Sequence, residues 1–339
     1  MKFVFKEIFE KEVWDGLVKR WENGHLFQSF AWGEFKKTQG WSVRRLALEG
    51  AALSILEKKT PLGGLKFWYL PRGPVLDYRK KELVNRVLEF LINFGRQNKV
   101  TAVKISPEVV LSGETEWLLE FLKNKGFKET ADYQLHRCTL RIDLTRDLKD
   151  VLAQFKKNTR WEIRKAEKDG VAIKTGENEN DLKTFYSLYA EAMGRDRLAY
   201  RYFKNFWQVF KPNLLILIAF YQGRPVSAVL IPFFNQKCWY LFGGSSKKYP
   251  TRNSSQLLQW EAVKRAKERG AQVYDLQGIP CRDPQTPHEK GIVQFKEGFG
   301  GKRVELIGEF DYVFSPIWYA VLRKLNQARI ITRGIMGRV

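Results

Sequence analysis

The chain has 339 residues, of which 44% are hydrophobic and 14% aromatic, and this composition excludes an intrinsically disordered protein. Its 59 lysines and arginines against 37 aspartates and glutamates leave a formal net charge of +22. That excess favours an anionic partner: nucleic acid, an anionic membrane surface or a phosphorylated metabolite. The three cysteines and three histidines are too scattered to predict a disulfide framework or a metal site, so we expect a reducing cytosol.

The N-terminal region predicts a soluble, partly helical start. The first residues carry charges throughout and lack the apolar core of a signal peptide. Apolar residues at helical spacing, including Trp14 and Val18, predict helical structure over residues 10–40. Further along the chain, the longest apolar stretch, residues 214–221, is too short to cross a bilayer and predicts a buried strand.

Two segments, which begin at Leu46 and Ile218, follow one plan. Each predicts two strands joined by a tight turn, a third strand with the triplet Trp-Tyr-Leu, a crossover helix and a further strand. The triplets begin at Trp68 and Trp239, and the same spacing relates positions 103 and 274 in the two later strands. This spacing predicts a duplicated α/β unit, and two such lobes predict a ligand-binding cleft between them.

The segment between the two repeats begins with a short strand, residues 139–144, and a helix over about 147–169. Asp147 is the expected N-cap of this helix and Gly170 its terminal glycine. Four cations recur along one face of the helix: Lys157, Arg160, Arg164 and Lys168. Such a stripe suits a phosphate backbone, and aminoacyl-tRNA is the candidate. The alternative is a solvated face paired with Glu162 and Glu167. Helices are also expected over residues 181–210.

The C-terminal segment is basic and amphipathic. It combines Trp318, Tyr319 and Leu322 with cations such as Arg323, and no acidic residue follows Asp311. This pattern predicts either docking on the first lobe or contact with an anionic membrane surface. We expect docking with some membrane affinity.

The order of strands and helices is that of the acyl-CoA N-acyltransferase (GNAT) fold. We therefore predict an α/β protein of two tandem GNAT-like lobes, with mixed, largely antiparallel sheets flanked by helices. The first lobe is predicted over residues 1–145, completed by 312–339, and the second over 146–311. The turns after the third strands lack the glycine pattern that cradles the pyrophosphate of CoA, so we expect either an acyl donor other than acyl-CoA or no acyl transfer at all.

Five stretches together resemble the FemABX family, the peptidoglycan bridge-forming aminoacyltransferases; they are residues 27–41, 69–77, 140–171, 240–279 and 291–313. They follow the family order over nearly the whole chain. No long heptad-like stretch lies between 171 and 291, so the chain is similar to the compact, armless, FemX-like subgroup. The resemblance implies transfer of an amino acid from aminoacyl-tRNA to the side-chain amine at position three of the peptidoglycan stem peptide, carried on UDP-MurNAc-pentapeptide or lipid II. It implies no metal and no coenzyme.

The resemblance also implies the catalytic residues. The family motif F-K-x-G falls on Phe295 and Lys296, next to the glycine-rich sequence 298–301. Lys296, held on a rigid turn, would stabilise the oxyanion that develops on the ester carbonyl, or bind the tRNA terminus, and Phe295 would shape the cleft.

Acceptor binding is expected to need cations for the diphosphate. The family's first-domain lysine, four residues after a tryptophan, falls on Lys36 after Trp32, and the adjacent Lys37 is the alternative.

For the second domain, the alignment of the family's acceptor-binding residues with this sequence is less certain in register. The family's arginine falls on Arg201, with Arg195 or Arg197 as alternatives, and Asn205 stands where relatives show a tyrosine. Tyr249 is a candidate for a hydroxyl contact to the acceptor.

One departure concerns the general base. Relatives carry an aspartate before the proline that follows the later strand of the first unit, and this chain has Ser106 there, with Glu108 two residues on. The attacking amine would lose its proton to Glu108, to water or through the substrate.

The favoured interpretation is a cytosolic, monomeric aminoacyltransferase with charged tRNA and a peptidoglycan precursor as substrates, in peripheral contact with the membrane. Two alternatives remain. One is an N-acyltransferase of the same fold that uses acyl-CoA or acts on a lipid; the other is a non-catalytic basic RNA-binding protein.

Overall fold

The computed structural model describes residues 5–60, 64–130, 133–193 and 198–332, with the side chains of the last helix described up to residue 324. The chain divides into two compact units. The first runs to Arg137 and resumes at Glu305, and the second spans Cys138–Val304. Each unit holds one mixed sheet, with eight strands among the described residues. No described helix is both long enough and apolar enough to cross a membrane.

The helices of the described chain are α1 (Lys11–Lys19), α2 (Phe30–Thr38), α3 (Lys81–Gln97), α4 (Glu116–Asn124), α5 (Leu148–Ala153), α6 (Lys157–Lys168), α7 (Glu179–Met193), α8 (Tyr200–Phe210), α9 (Ser254–Glu268), α10 (Pro287–Gly298) and α11 (Pro316–Thr332). The strands are β1 (Lys6–Glu7), β2 (Ser42–Leu48), β3 (Ala51–Lys59), β4 (Lys66–Leu70), β5 (Val75–Leu76), β6 (Ala102–Ile105), β7 (Lys128–Glu129), β8 (Cys138–Asp143), β9 (Ala172–Thr175), β10 (Leu214–Tyr221), β11 (Arg224–Phe234), β12 (Lys237–Trp239), β13 (Phe242–Ser245), β14 (Val273–Ile279), β15 (Lys302–Glu305) and β16 (Phe310–Val313).

The first sheet has the order β1-β2-β3-β4-β6-β16-β7, with β5 also paired to β3. Only β4 and β6 pair in parallel among the described strands of this sheet, and α3 crosses over between them. The apolar residues of α3 at helical spacing, including Val84, Val87 and Leu91, are buried against the sheet. They form the core of the first unit because one stripe of the helix is apolar throughout.

The second sheet repeats this order as β9-β10-β11-β12-β14-β8-β15, with β13 paired to β11. The parallel pair is now β12 and β14, and α9 is the crossover helix. Trp68 pairs with Val103 in the first sheet, and Cys238, the neighbour of Trp239, pairs with Tyr274 in the second. The predicted pair of α/β units is therefore present, and the repeat holds to within one residue.

Each sheet takes one strand from a distant part of the sequence. β8 follows the first repeat but pairs with β14 in the second unit, and β16 follows the second repeat but pairs with β6 in the first unit. The two units are consequently divided at Arg137 and at Val304.

The prediction that the cysteines form no disulfide is wrong in this structure. Cys138 and Cys281, separated by 143 positions, are joined by a disulfide. Cys138 begins β8 and lies opposite Ile279 at the end of β14, so the pairing of these strands brings the two cysteines together. Sequence spacing cannot reveal such a pair, because it depends on which distant strands become neighbours. Cys238 is buried and unpaired, and burial raises the pKa of its thiol.

Candidate active site

Helix α10 carries Lys296 in its last turn. Thr286 caps the helix by accepting a hydrogen bond, 3.1 Å long, from the backbone N–H three residues on, and Pro287 occupies the first turn. The prediction that Lys296 lies on the glycine-rich turn is therefore wrong. Gly298 still belongs to the helix, and the turn comes later, at Gly300, where φ is +66°.

The Lys296 ammonium is half-buried at the end of β14. It donates a hydrogen bond of 2.8 Å to the carbonyl oxygen of Gly278. Burial lowers the pKa of Lys296 to about 8, and the negative charge of Asp275 opposes part of this effect. At pH 7 the Lys296 side chain is then still charged in about nine-tenths of the molecules. An ammonium has three donors, and among the described residues only Gly278 takes one, so two remain for oxygen atoms of a substrate.

Asp275 anchors this end of the sheet. Its buried carboxylate accepts hydrogen bonds from the Thr139 hydroxyl, from the Arg141 guanidinium at 3.0 Å and from the backbone N–H of Gln277 at 2.7 Å. The pairing of β14 with β8 shifts register just after Asp275, and Gln277 adopts a φ of +62°. A bulge of this kind re-aims the backbone, and here it carries the carbonyl that holds the lysine. Our sequence analysis missed Asp275, whose only signal is an acid inside an otherwise apolar strand.

Phe295 takes part in the packing of the second unit. Its ring meets the ring of Phe299 edge-on, with 5.1 Å between centroids, and Phe299 meets Phe155 edge-on at 5.3 Å. Phe155 and Phe299 are both buried. Phe295 is partly buried against the same cluster, so its position is fixed by the core.

The end of α10 packs directly on the start of α6. Gly298 lacks a side chain, and a Cβ at this position would overlap the hydroxyl oxygen of Thr159. The backbone N–H of Lys156 donates to the carbonyl of Gly298 at 2.9 Å, and its ammonium pairs with Glu297 at 3.2 Å. The two helices are thus joined two residues after Lys296.

The predicted cation stripe lies on α6, opposite the face that buries Thr159, Ile163 and Ala166. Three of its residues are exposed and Arg160 is half-buried; the stripe comprises Lys157, Arg160, Arg164 and Lys168. Within the described chain none of the four forms an ion pair, and none is joined to Glu162 or Glu167. Their charges are therefore available to an anionic partner.

Lys36 and Lys37 differ in their surroundings although they are neighbours on α2. The Lys37 ammonium pairs with Glu34 at 2.8 Å, and Glu34 also binds Arg45 at 2.7 Å. The Lys36 ammonium lies 4.9 Å from the centre of the Trp32 ring and forms no ion pair among the described residues. Burial and then the positive charge of Lys58 lower the pKa of Lys36 to about 8. Lys36 is the better candidate for an anion-binding cation.

Arg201 and Tyr249 lie on other elements of the second unit. Arg201 is exposed in the first turn of α8. Tyr249, 41% exposed, lies between β13 and α9, with the Arg224 guanidinium 4.8 Å from its ring centre. Its hydroxyl can therefore reach a ligand. The alternatives Arg195 and Arg197 lie outside the described residues.

The position of the relatives' aspartate is buried in the first unit. Ser106 is fully buried at the end of β6. Glu108 is buried too, and its carboxylate lies 3.3 Å from the guanidinium of Arg72, whose own side chain is 7% exposed. An ion pair of this kind disfavours Glu108 as a base, because accepting a proton would leave Arg72 buried without its counter-charge.

A second buried carboxylate, Glu309, directly precedes β16, whose first residue pairs with Ile105, and was missed by our sequence analysis. It accepts hydrogen bonds from the Tyr69 hydroxyl at 2.7 Å and from the backbone N–H of Gln134 at 2.6 Å. Burial raises the pKa of Glu309, against the opposing effect of Lys104. No sequence pattern distinguishes this glutamate, because its burial depends on the pairing of β16 with β6.

The structure thus joins Lys296, Phe295 and the cation stripe of α6 within the second unit. Lys36, Trp32 and Lys37 belong to α2 in the first unit. That Lys36, Arg201 and Lys296 line one cleft stays a prediction.

Comparison with known proteins identifies relatives over most of the chain. The chain matches the FemAB family over residues 9–222 and 220–327. It is 28% identical, over 395 aligned positions, to the lipid II:glycine glycyltransferase of Staphylococcus aureus strain USA300, covering 92% of this chain and 93% of that protein.

Solved structures show the same architecture. FemX superposes with a TM-score of 0.84 at 24% identity, covering 94% of this chain and 99% of that one. A tandem GNAT protein from the clavulanic acid biosynthesis pathway superposes with a TM-score of 0.57 at 10% identity, covering 93% and 99%. These likenesses confirm the predicted tandem GNAT-like fold. Because the family match spans most of the sequence, the chain belongs to the FemAB family and is an aminoacyl-tRNA-dependent aminoacyltransferase of peptidoglycan cross-bridge synthesis.

Proposed function

We propose that the enzyme transfers an amino acid from aminoacyl-tRNA to the side-chain amine at position three of a peptidoglycan stem peptide. The observation that carries this proposal is the position of the Lys296 ammonium, which is half-buried and donates one hydrogen bond to Gly278. A pKa lowered to about 8 leaves it mostly charged at pH 7. A cation with two donors that no described residue occupies can stabilise a developing oxyanion.

The reaction needs few protein groups. The acceptor amine attacks the ester carbonyl of the aminoacyl-tRNA, an amide C–N bond forms, and the ester C–O bond to the ribose breaks. The carbonyl oxygen carries negative charge in between, where Lys296 would stabilise it. The proton of the amine leaves with the ribose hydroxyl, after transfer through water or a substrate group, because Glu108 is engaged by Arg72.

The acceptor in this proposal is a muropeptide that carries a diphosphate. Lys36 would bind a phosphate, as a half-buried cation without an acidic partner among the described residues, and Arg201 and Tyr249 would add contacts from the second unit. Both lipid II and UDP-MurNAc-pentapeptide provide a diphosphate. The name of the Staphylococcus aureus relative supports lipid II.

The aminoacyl-tRNA substrate favours a cytoplasmic enzyme, although Cys138 and Cys281 form a disulfide. We propose a monomer in peripheral contact with the membrane. Helix α11 docks on the first unit through Leu322, which is buried, and through the Tyr319 hydroxyl, which donates to Asp311 at 2.7 Å. Ile317 and Trp318 of the same helix are 77% and 51% exposed, so their side chains are free to rest on a lipid surface.

The test is transfer of radiolabelled amino acids from a total charged tRNA pool to UDP-MurNAc-pentapeptide and to lipid II in parallel. We expect labelled product with one of the two acceptors, and loss of that product in Lys296→Met. Transfer to neither acceptor, with acyl-CoA turnover or with tRNA binding alone, would contradict the proposal and favour one of the two alternative functions.

A further inference from the structure

Helix α6 carries an exposed tryptophan in the middle of its cation stripe. Trp161 is 51% exposed, whereas most of the surface of a tryptophan side chain is usually buried in folded proteins. Among the described residues it makes no hydrogen bond and no contact with another ring, and neighbouring cations do not stack on it. Packing within the protein therefore leaves about half of its surface uncovered.

The helical geometry places Trp161 among the cations. At 3.6 residues per turn, its side chain lies about 40° around the axis from Lys157 and about 20° from Lys168. The buried face of Thr159, Ile163 and Ala166 points roughly the opposite way. From Lys157 to Lys168 the stripe is about 16 Å long. Trp161 and the cations thus form one outward face.

The geometry points to Trp161 as a stacking platform for an unpaired base of RNA, with the cations of the stripe binding the flanking phosphates. A positively charged surface with an exposed aromatic ring is the usual arrangement of proteins that bind single-stranded nucleic acid. A membrane-binding helix would instead present several large apolar side chains, and Trp161 is the only large hydrophobic side chain that α6 exposes.

The attachment of α6 to α10 shows which end of the cation stripe lies nearer in the structure to the helix that carries Lys296. The start of α6 is fixed to Gly298 and Glu297 through Lys156 and Thr159, two residues beyond Lys296. An RNA strand that lies on the stripe and continues past its start reaches the end of α10. If the proposed function holds, this strand is the unpaired 3′ end of the aminoacyl-tRNA, and Trp161 positions its ester for Lys296.

The test measures affinity for two RNA hairpins of acceptor-arm length, one with an unpaired four-nucleotide 3′ tail and one blunt, over a range of salt concentrations. We expect Trp161→Leu to weaken binding of the tailed hairpin about tenfold, to leave the blunt hairpin unchanged and to keep the salt slope. Trp161→Phe should recover most of the affinity. Phe9→Leu, which removes another exposed aromatic side chain, should match the wild type.

Replacing a cation of the stripe should have a different effect on RNA binding from replacing Trp161. Arg164→Ala should weaken binding of both hairpins and reduce the slope of log affinity against log salt by about one, whereas Lys123→Ala, an exposed lysine of α4, should not. Tailed-hairpin binding by Trp161→Leu within twofold of the wild type would overturn the inference. Equal weakening of both hairpins by Trp161→Leu would also overturn it. A third contrary result would be a Trp161→Leu variant that binds both hairpins normally but no longer binds anionic lipid vesicles.

These RNA measurements are independent of aminoacyl transfer. Trp161 is exposed, so its variants should unfold at the wild-type temperature, and this is checked first by circular dichroism. Failure of the transfer assay with tail-dependent binding intact would contradict the proposed function alone. Normal transfer by the wild type, with unchanged tail binding by Trp161→Leu, would contradict the stacking inference alone.

Discussion

Replacing Lys296 by methionine should lower turnover strongly and leave the fold intact. Methionine has a similar length and no charge, so the oxyanion would lose a cation with two available donors. Loss of one such donor typically lowers turnover 100- to 1,000-fold, or about 3–4 kcal/mol in activation free energy. The cap at Thr286 and the packing at Phe295 and Gly298 do not involve the ammonium, so helix α10 should remain in place.

The lowered pKa of Lys296 adds a prediction about pH. Because the pKa is about 8, the charged fraction falls from about nine-tenths at pH 7 to about one-tenth at pH 9. We expect wild-type turnover to decline above pH 8. Lys296→Arg keeps its charge over this range, so the decline should be absent in that variant, whatever its maximal rate.

The same pKa determines the sign of the effect on stability. In the folded protein the ammonium is disfavoured relative to the unfolded chain, where the pKa is near 10.5. This cost is fully present below pH 8 and disappears as the pH rises towards 10.5. Lys296→Met should therefore be at least as stable as the wild type at pH 7, and the difference in Tm should shrink between pH 8 and 10.5.

The assay is the initial rate of amino-acid transfer from charged tRNA, corrected for spontaneous ester hydrolysis at each pH, with Tm from thermal unfolding. The decisive comparison is kcat, since a transition-state contact affects kcat while KM changes little. A kcat for Lys296→Met within threefold of the wild type would refute the role of the lysine. A decline above pH 8 that persists in Lys296→Arg would refute the assigned pKa.

Three further outcomes follow from single contacts. Lys36→Met should raise the KM for the acceptor roughly 10- to 100-fold with a smaller effect on kcat, as expected for a lost charge-assisted hydrogen bond; steady-state kinetics with unchanged KM would contradict it. Gly298→Ala should lower Tm by forcing Thr159 away, and Thr159→Ala in the same chain should restore it. Unfolded without reductant, the protein should show one reactive thiol, and three after reduction of Cys138–Cys281; three thiols throughout would exclude the disulfide.

The fold was predictable because each copy of the repeat is formed by consecutive residues. Each α/β unit has its hairpin, crossover helix and later strand in consecutive sequence, so hydrophobic periodicity and turn residues were enough. The exchange of β8 and β16 was not predictable in the same way. A short strand that pairs with a distant partner carries no local mark of its destination, and the disulfide of Cys138 depends on the same pairing.

For the candidate site, the sequence predicts residues but not their surroundings. The motif singles out Lys296, but it does not reveal that Lys296 and Gly298 lie in the last turn of a helix, where a glycine is needed because Thr159 occupies the space beside it. The choice between Lys36 and Lys37 likewise depends on Glu34, which pairs with Lys37, whereas Lys36 forms no ion pair among the described residues. Burial and pairing are tertiary properties, so no residue pattern could resolve them.

Lys36 and Lys296 share a property that separates them from structural lysines. The buried Lys104 is compensated by Asp311 at 3.1 Å, and such pairing is the ordinary condition for keeping a charge inside a protein. Lys36 and Lys296 are half-buried, have pKa values lowered to about 8, and form no ion pair among the described residues. Each therefore lowers the stability of the free enzyme. Residues that cost stability in this way occur at functional sites, where a bound anion supplies the missing counter-charge.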